Sequence, residues 1–158
     1  MPPITVENAA QRADVALYTH GIAAGAILLT LDGEIPVEHL TRGDRIITRD
    51  AGMALLSGVT FRRGLFHAVQ IRGGSLGHSR PDRDILVGTN TPIHIRDWRA
   101  QALFGAPSVT LPASRLVDGE FVRNIGPQKM GVFELVFEEP HIFYADGLEI
   151  STQAPLLD

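Results

Sequence analysis

The sequence predicts a mainly β fold, and three observations carry that expectation. Apolar residues come in short runs of strand length, sixteen glycines and ten prolines are spread evenly between them, and helical spacing is sparse. Runs this short, closed by residues that supply positive or fixed φ, build hairpins rather than amphipathic helices.

Taken in order, residues 8–20, "NAAQRADVALYTH", place Ala9, Val15, Ala16 and Leu17 at roughly helical spacing and predict one short N-terminal helix. "AILLTL" and "RIITR" follow as strands. Between them "IPVEHLTR" predicts a single turn, with Pro36 at a tolerated first-turn position. The remaining strands are "ALLSGVTFRR", "FHAVQIR", "DILVG", "PIHIR", "SVTLP", "FVRNI", "GVFELVF" and "IFYADG". Turn signals separate them: "DGE", "RGD", "DAG", "RGG", "VDGE", "GPQ" and "EEPH". Gly43 in "TRGD" is expected at positive φ, and Trp98, the only tryptophan, is expected to anchor the core. Residues 72–84, "RGGSLGHSRPDRD", read as an exposed loop between strands.

No repeat or linker divides the chain, so residues 21–153 are expected to form one domain, after an N-terminal segment, 1–20, and before a short tail, 154–158. At 158 residues, 44% apolar and 20% charged, the chain is long and apolar enough for a real core. A formal charge of −4, with Arg62 and Arg63 as the best basic cluster, argues against a nucleic-acid partner. No run approaches the ~20 apolar residues that span a bilayer, and the N-terminus lacks the basic start and apolar stretch of a secretory signal. A cytoplasmic location is the default expectation, with leaderless export left open and no membrane partner. The absence of cysteine excludes disulfides, thiolate metal sites and thiol nucleophiles.

The six histidines, His20, His39, His67, His78, His94 and His141, never adopt a spacing that brings two ligands to one metal, and no cofactor is expected. "RGGSLGH" lacks the Lys-Ser/Thr and following helix of a phosphate loop. Of the acidic pairs, Asp82/Asp84 share a strand face and Glu138/Glu139 do not; turn and surface roles suit both. No serine sits in a strained nucleophile elbow. The most suggestive cluster is "VGTNTPIHIRDW", where Thr91, Pro92 and His94 form T-P-x-H. A histidine there can protonate a scissile amide nitrogen; equally, Thr and Asn can cap a turn with His94 packed on the strand that Pro92 opens.

Several blocks together resemble the Hint domain, the self-processing module shared by Hedgehog C-terminal regions and inteins, in its bacterial stand-alone branch. "AAGAILLTLDGEIPVEHLTRGDRIITRD" is similar to that family's opening: a small-residue turn, a strand, D-G, P-V-E-x-L and G-D-x-aliphatic-x-T-x-D. "DILVG", "RDWRAQALFG", "LPASRLVDGEFVRNI" and "FELVFEEPHIFYADGLEIST" resemble its later blocks in the same order, so that the likeness runs from residue 21 to about 153.

The resemblance implies curved β-hairpins and a reaction in which the domain's first residue, usually Cys and sometimes Ser, attacks the peptide bond before it. Here that position is Gly21, which has no nucleophile. Two registers are open for the family's S-P-x-H. The ungapped one, which we favour, sets Thr91 at the histidine position; the other uses His94 at the cost of an insertion and a deletion. Near the C-terminus Pro140 stands where the family often has histidine, with His141 displaced by one residue. Thr19 is the nearest alternative nucleophile, two residues upstream. The resemblance with these departures predicts a domain without self-cleavage that binds or supports a protein or peptide partner, or, alternatively, residual self-cleavage or acyl transfer through Thr19 with His94.

Overall fold

The computed structural model describes residues 17–153. Thirteen strands are arranged in two sheets: β1 Leu17–Tyr18, β2 Ile22–Ala23, β3 Ile27–Thr30, β4 Gly33–Pro36, β5 Arg45–Thr48, β6 Gly52–Leu55, β7 Gly58–Ile71, β8 Ile85–Gly88, β9 Pro92–Ile95, β10 Val109–Pro112, β11 Val122–Val136, β12 Ile142–Ala145 and β13 Leu148–Ser151. One sheet runs β1-β7-β11-β2-β8; the other runs β10-β9-β13-β12-β3-β5-β6, with β4 paired to β3. Among the described residues one α-helix, α1, spans Trp98–Phe104, and single 3-10 turns cover Val37–His39 and Ala113–Leu116.

β7 and β11 pair antiparallel along their whole length, from Val122↔Ile71 to Val136↔Gly58, with one irregularity between Asn124 and Gly126. That bulge corrects two expectations. "GPQ" is no turn, and "FVRNI" and "GVFELVF" are one strand. The Asn124 side chain accepts the Gly126 N–H and Gly126 has φ +74°, so the backbone absorbs an extra residue without leaving the sheet. Similarly, "FRRG" continues through to "FHAVQI", while "ALLSGVT" breaks at Leu56 and Ser57.

The main core collects alternate residues from both sheets, among them Ile22, Leu28, Ile46, Val69, Val87, Ile93, Leu111, Phe143 and Ile150. A smaller cluster of Phe66, Ala68 and Val132 lies where β7 and β11 extend past it. The turn residues behave as their chemistry demands. Gly43 has φ +92°, the Thr41 N–H bonds the Asp44 carboxylate, and Pro36 ends up as the cap of the 3-10 turn.

Two further expectations need comment. Of the segment read as an N-terminal helix, residues 8–16 lie outside the described residues, and Leu17–Tyr18 form a strand parallel to β7. Trp98 is 67% exposed and is not a core anchor. It opens α1, whose Asp97 cap accepts the Arg99 N–H and whose end is closed by Gly105 at φ +66°; Ala100 is buried and Phe104 packs against the core, while the Arg99 guanidinium lies over the Trp98 ring, 5.0 Å from its centroid. Trp98→Ala should therefore cost under ~1 kcal/mol of stability, whereas Phe66→Ala, which empties the smaller core, should cost ~3–5 kcal/mol. Chemical denaturation of both variants checks the contrast.

Candidate functional site

Gly21 immediately precedes β2, a strand held between β11 through Ile22↔Phe133 and β8 through Ile22↔Val87. This places residue 21 deep in the molecule, where three elements fasten it. The Thr91 hydroxyl accepts the Gly21 N–H at 3.0 Å and donates to the Gly21 carbonyl at 3.1 Å, and the Gly88 N–H donates to the same carbonyl at 3.0 Å. Thr91 is 2% exposed, so these bonds are made without competing water.

Close approach explains why glycine stands at two of these positions. Gly21 has φ +120°, and a Cβ there would strike Val132 Cγ1 and lie 2.8 Å from the Phe133 carbonyl oxygen. A Cβ on Gly88 would strike the Thr19 carbonyl and lie 2.7 Å from the His20 N–H nitrogen, because residues 19–20 cross directly over β8. The Asn90 N–H reaches the Thr19 carbonyl at 2.8 Å and locks the crossing.

Beside Gly21 lies a cavity of about 250 Å³. Its apolar walls include Phe133, Leu135, Phe143 and Ile150; His20, Glu134, Ser151 and Thr152 supply polar groups at its margin. These polar groups are already engaged. His20 Nδ1 lies 3.1 Å from the Thr19 hydroxyl, Glu134 pairs with Arg62 at 3.0 Å, the Ser151 hydroxyl accepts the Gln153 N–H, and the Thr152 hydroxyl accepts the His141 N–H. The arrangement offers an apolar recess with a polar rim.

The structure thus brings Gly21 and Thr91 into contact and sets the other sequence candidates apart. His94 does not line this cavity: its Nδ1 faces Thr110 at 3.3 Å, in a cleft shared with Leu76, Arg96 and Glu149. Burial lowers its pKa, a trend that Glu149 opposes and Arg49 and Arg96 reinforce. Glu149, 7% exposed, is held bidentately by Arg96, with Arg49 at 3.5 Å. His141 is also outside the cavity but one residue removed, since its backbone is bonded to the wall residue Thr152. Its ring meets Asp50 at 2.9 Å and stands edge-on to Phe137. Burial tends to raise the Asp50 pKa, but bonds from the Ile142 N–H and His141 outweigh it and the net shift is downward. Thr19 reaches the site through its carbonyl, while its hydroxyl turns to His20.

Sequence reasoning did not single out Val132, Phe133 and Glu134, which close over Gly21 from far along the chain. The alternating "GVFELVF" marked a strand, but nothing in its pattern reveals which strand lies across from it. Among the described residues no group of three or more His, Asp or Glu side chains is arranged to hold a metal ion, and no helix is long and apolar enough to cross a membrane.

Thr91→Val should cost ~1–3 kcal/mol by stranding buried groups of Gly21, and Thr91→Ser should recover most of it; denaturant titration compares the two. Because folding depresses the His94 pKa, the unfolded chain takes up the proton first, and stability should fall as pH drops below about 6.5. His94→Gln should flatten that limb of a Tm-against-pH curve and leave the curve above neutrality unchanged in slope.

Comparison with known proteins agrees with this architecture. The family model described as Hint domain matches residues 20–155. No curated protein matches the chain. Among solved structures, the bacterial intein-like domain from Clostridium thermocellum is 14% identical with a TM-score of 0.56, covering 84% of this chain and 96% of that one. The gp41-1 intein is 11% identical with a TM-score of 0.55, covering 82% and 96%. A DnaB intein from Synechocystis sp. PCC 6803 is 16% identical with a TM-score of 0.51, covering 84% and 99%. Identities this low speak to the fold alone; the family match over residues 20–155 shows that the chain belongs to the Hint domain family.

Proposed function

We propose that this Hint domain does not cleave itself and serves as a binding module for a protein or peptide partner, with the cavity beside Gly21 receiving a small apolar group. One observation carries the reading: residue 21 lacks a nucleophile and the space for one. Self-cleavage of the Hint type needs a side-chain oxygen or sulfur on the residue after the scissile bond and a proton for the departing amide nitrogen. Here the Gly21 amide donates its own hydrogen to Thr91, and Val132 with the Phe133 carbonyl fills the volume a side chain would need. The polar groups of the cavity rim are committed to internal partners, which suits recognition better than bond making. With a net charge of −4, neither nucleic acid nor a membrane surface is the partner in this reading.

A second reading rests on the 3.1 Å contact between the Thr19 hydroxyl and His20 Nδ1, which gives that hydroxyl an adjacent proton acceptor. Its attack on the Tyr18 carbonyl would shift the acyl group from nitrogen to oxygen, and water would then release a fragment ending at residue 18.

Intact-mass measurement of the full chain, incubated with thiol and with hydroxylamine, separates the two. The first reading expects the translated mass throughout and an uncleaved, destabilised Gly21→Cys variant. A product ending at residue 18 that Thr19→Ala abolishes establishes the second reading; cleavage before residue 21 on introducing cysteine overturns the first.

A further inference from the structure

The eight-stranded sheet finishes on β6, which pairs only with β5 among the described strands. The Leu56 N–H donates to the Asp44 carbonyl at 2.9 Å and the Leu56 carbonyl accepts the Gly43 N–H at 2.7 Å. By the alternation of an antiparallel ladder, Gly52, Ala54 and Leu56 turn their backbone groups toward β5, while Met53 and Leu55 turn theirs outward. Neither Met53 nor Leu55 has a backbone partner on that side among the described residues. The same alternation buries Ala54 and leaves the side chains of Met53 and Leu55 41% and 61% exposed.

Edge strands are normally blunted by lysine, proline, a bulge or a covering segment. β6, "GMAL", has no lysine or proline. Instead it borders a groove of about 540 Å³, lined by Arg42, Met53, Leu55, Glu138, Glu139 and His141. Two adjacent carboxylates and one arginine thus contribute to its lining. The His141 ring is turned to Asp50 at 2.9 Å.

We propose that β6 is a docking edge that accepts an extended, apolar and basic segment of another protein as an added strand. The backbone groups of Met53 and Leu55 supply up to four hydrogen bonds, their side chains contact alternate apolar residues of the incoming strand, and Glu138 and Glu139 attract its lysine or arginine. The acidic wall decides against a second copy of this chain. A β6 strand from a partner copy would enter the groove as Gly-Met-Ala-Leu, with no base to answer the two carboxylates. This surface is separate from the cavity beside Gly21, and its occupation does not depend on what that cavity binds.

The test uses a fluorescein-labelled peptide of alternating valine and lysine, titrated with the full chain and followed by anisotropy. Saturable binding is expected, weakening about tenfold in the Glu138→Lys, Glu139→Lys double variant and again on moving from low to high salt. N-methylation of alternate peptide residues on one edge should abolish it, and slowed exchange of the Met53 and Leu55 amides should accompany it. Absence of binding, equal binding by the charge-reversed variant, or indifference to N-methylation overturns the proposal. So does concentration-dependent dimerisation that Leu55→Lys removes, which assigns the edge to a second copy instead.

Discussion

The hydroxyl of Thr91, bonded to both the N–H and the carbonyl of Gly21, is the contact on which the centre of this molecule depends. Strand β2 is only two residues long and contributes little pairing of its own. It is nevertheless the piece that joins β11 to β8 within the five-stranded sheet, and its position is set just upstream of its first residue. Thr91 belongs to the turn between β8 and β9, one of the places where the chain passes from one sheet to the other. Fastening Gly21 there couples the two sheets at one buried side chain. Both ends of the link are made inside the protein, where an unmade hydrogen bond is expensive, so the coupling is stiffer than its two bonds suggest.

The same economy governs the surroundings. Thr19 and His20 pass over Gly88 so closely that backbone meets backbone, and the Asn90 N–H completes the crossing. The buried carboxylates are likewise taken up by arginines: Glu149 by Arg96 and Asp146 by Arg83. Buried Glu149 is the clearest case, since a lone carboxylate at that depth would be costly and two arginines converge on it.

Much of this order is legible along the sequence, for reasons that are local. Gly43 and the Thr41–Asp44 turn follow from φ restrictions and side-chain bonding, and the strand cores of β3, β5, β8 and β12 follow from apolar runs with turn residues at their borders. What resists reading is non-local. Gly126 and Pro127 look like a turn until the partner strand shows that Asn124 can house a bulge. Trp98 looks like core until α1 turns Ala100 inward, although Asp97 and Gly105 bracket that helix in plain view. Gly21 shows its missing side chain in the sequence. The walls that exclude one, Val132 and Phe133, are supplied more than a hundred residues later by a pairing that periodicity does not specify.

The close fit around Gly21 also bears on how the position can change over time. A larger residue there requires the backbone to leave φ +120°, Val132 to yield and the Phe133 carbonyl to move, while Thr91 keeps its grip on the peptide group. No single substitution supplies all of these, and each alone loosens a packed region before it gains anything. Position 21 is therefore held to glycine by several neighbours at once, and a side chain there is admitted only when Val132, the Phe133 carbonyl and the local backbone change together.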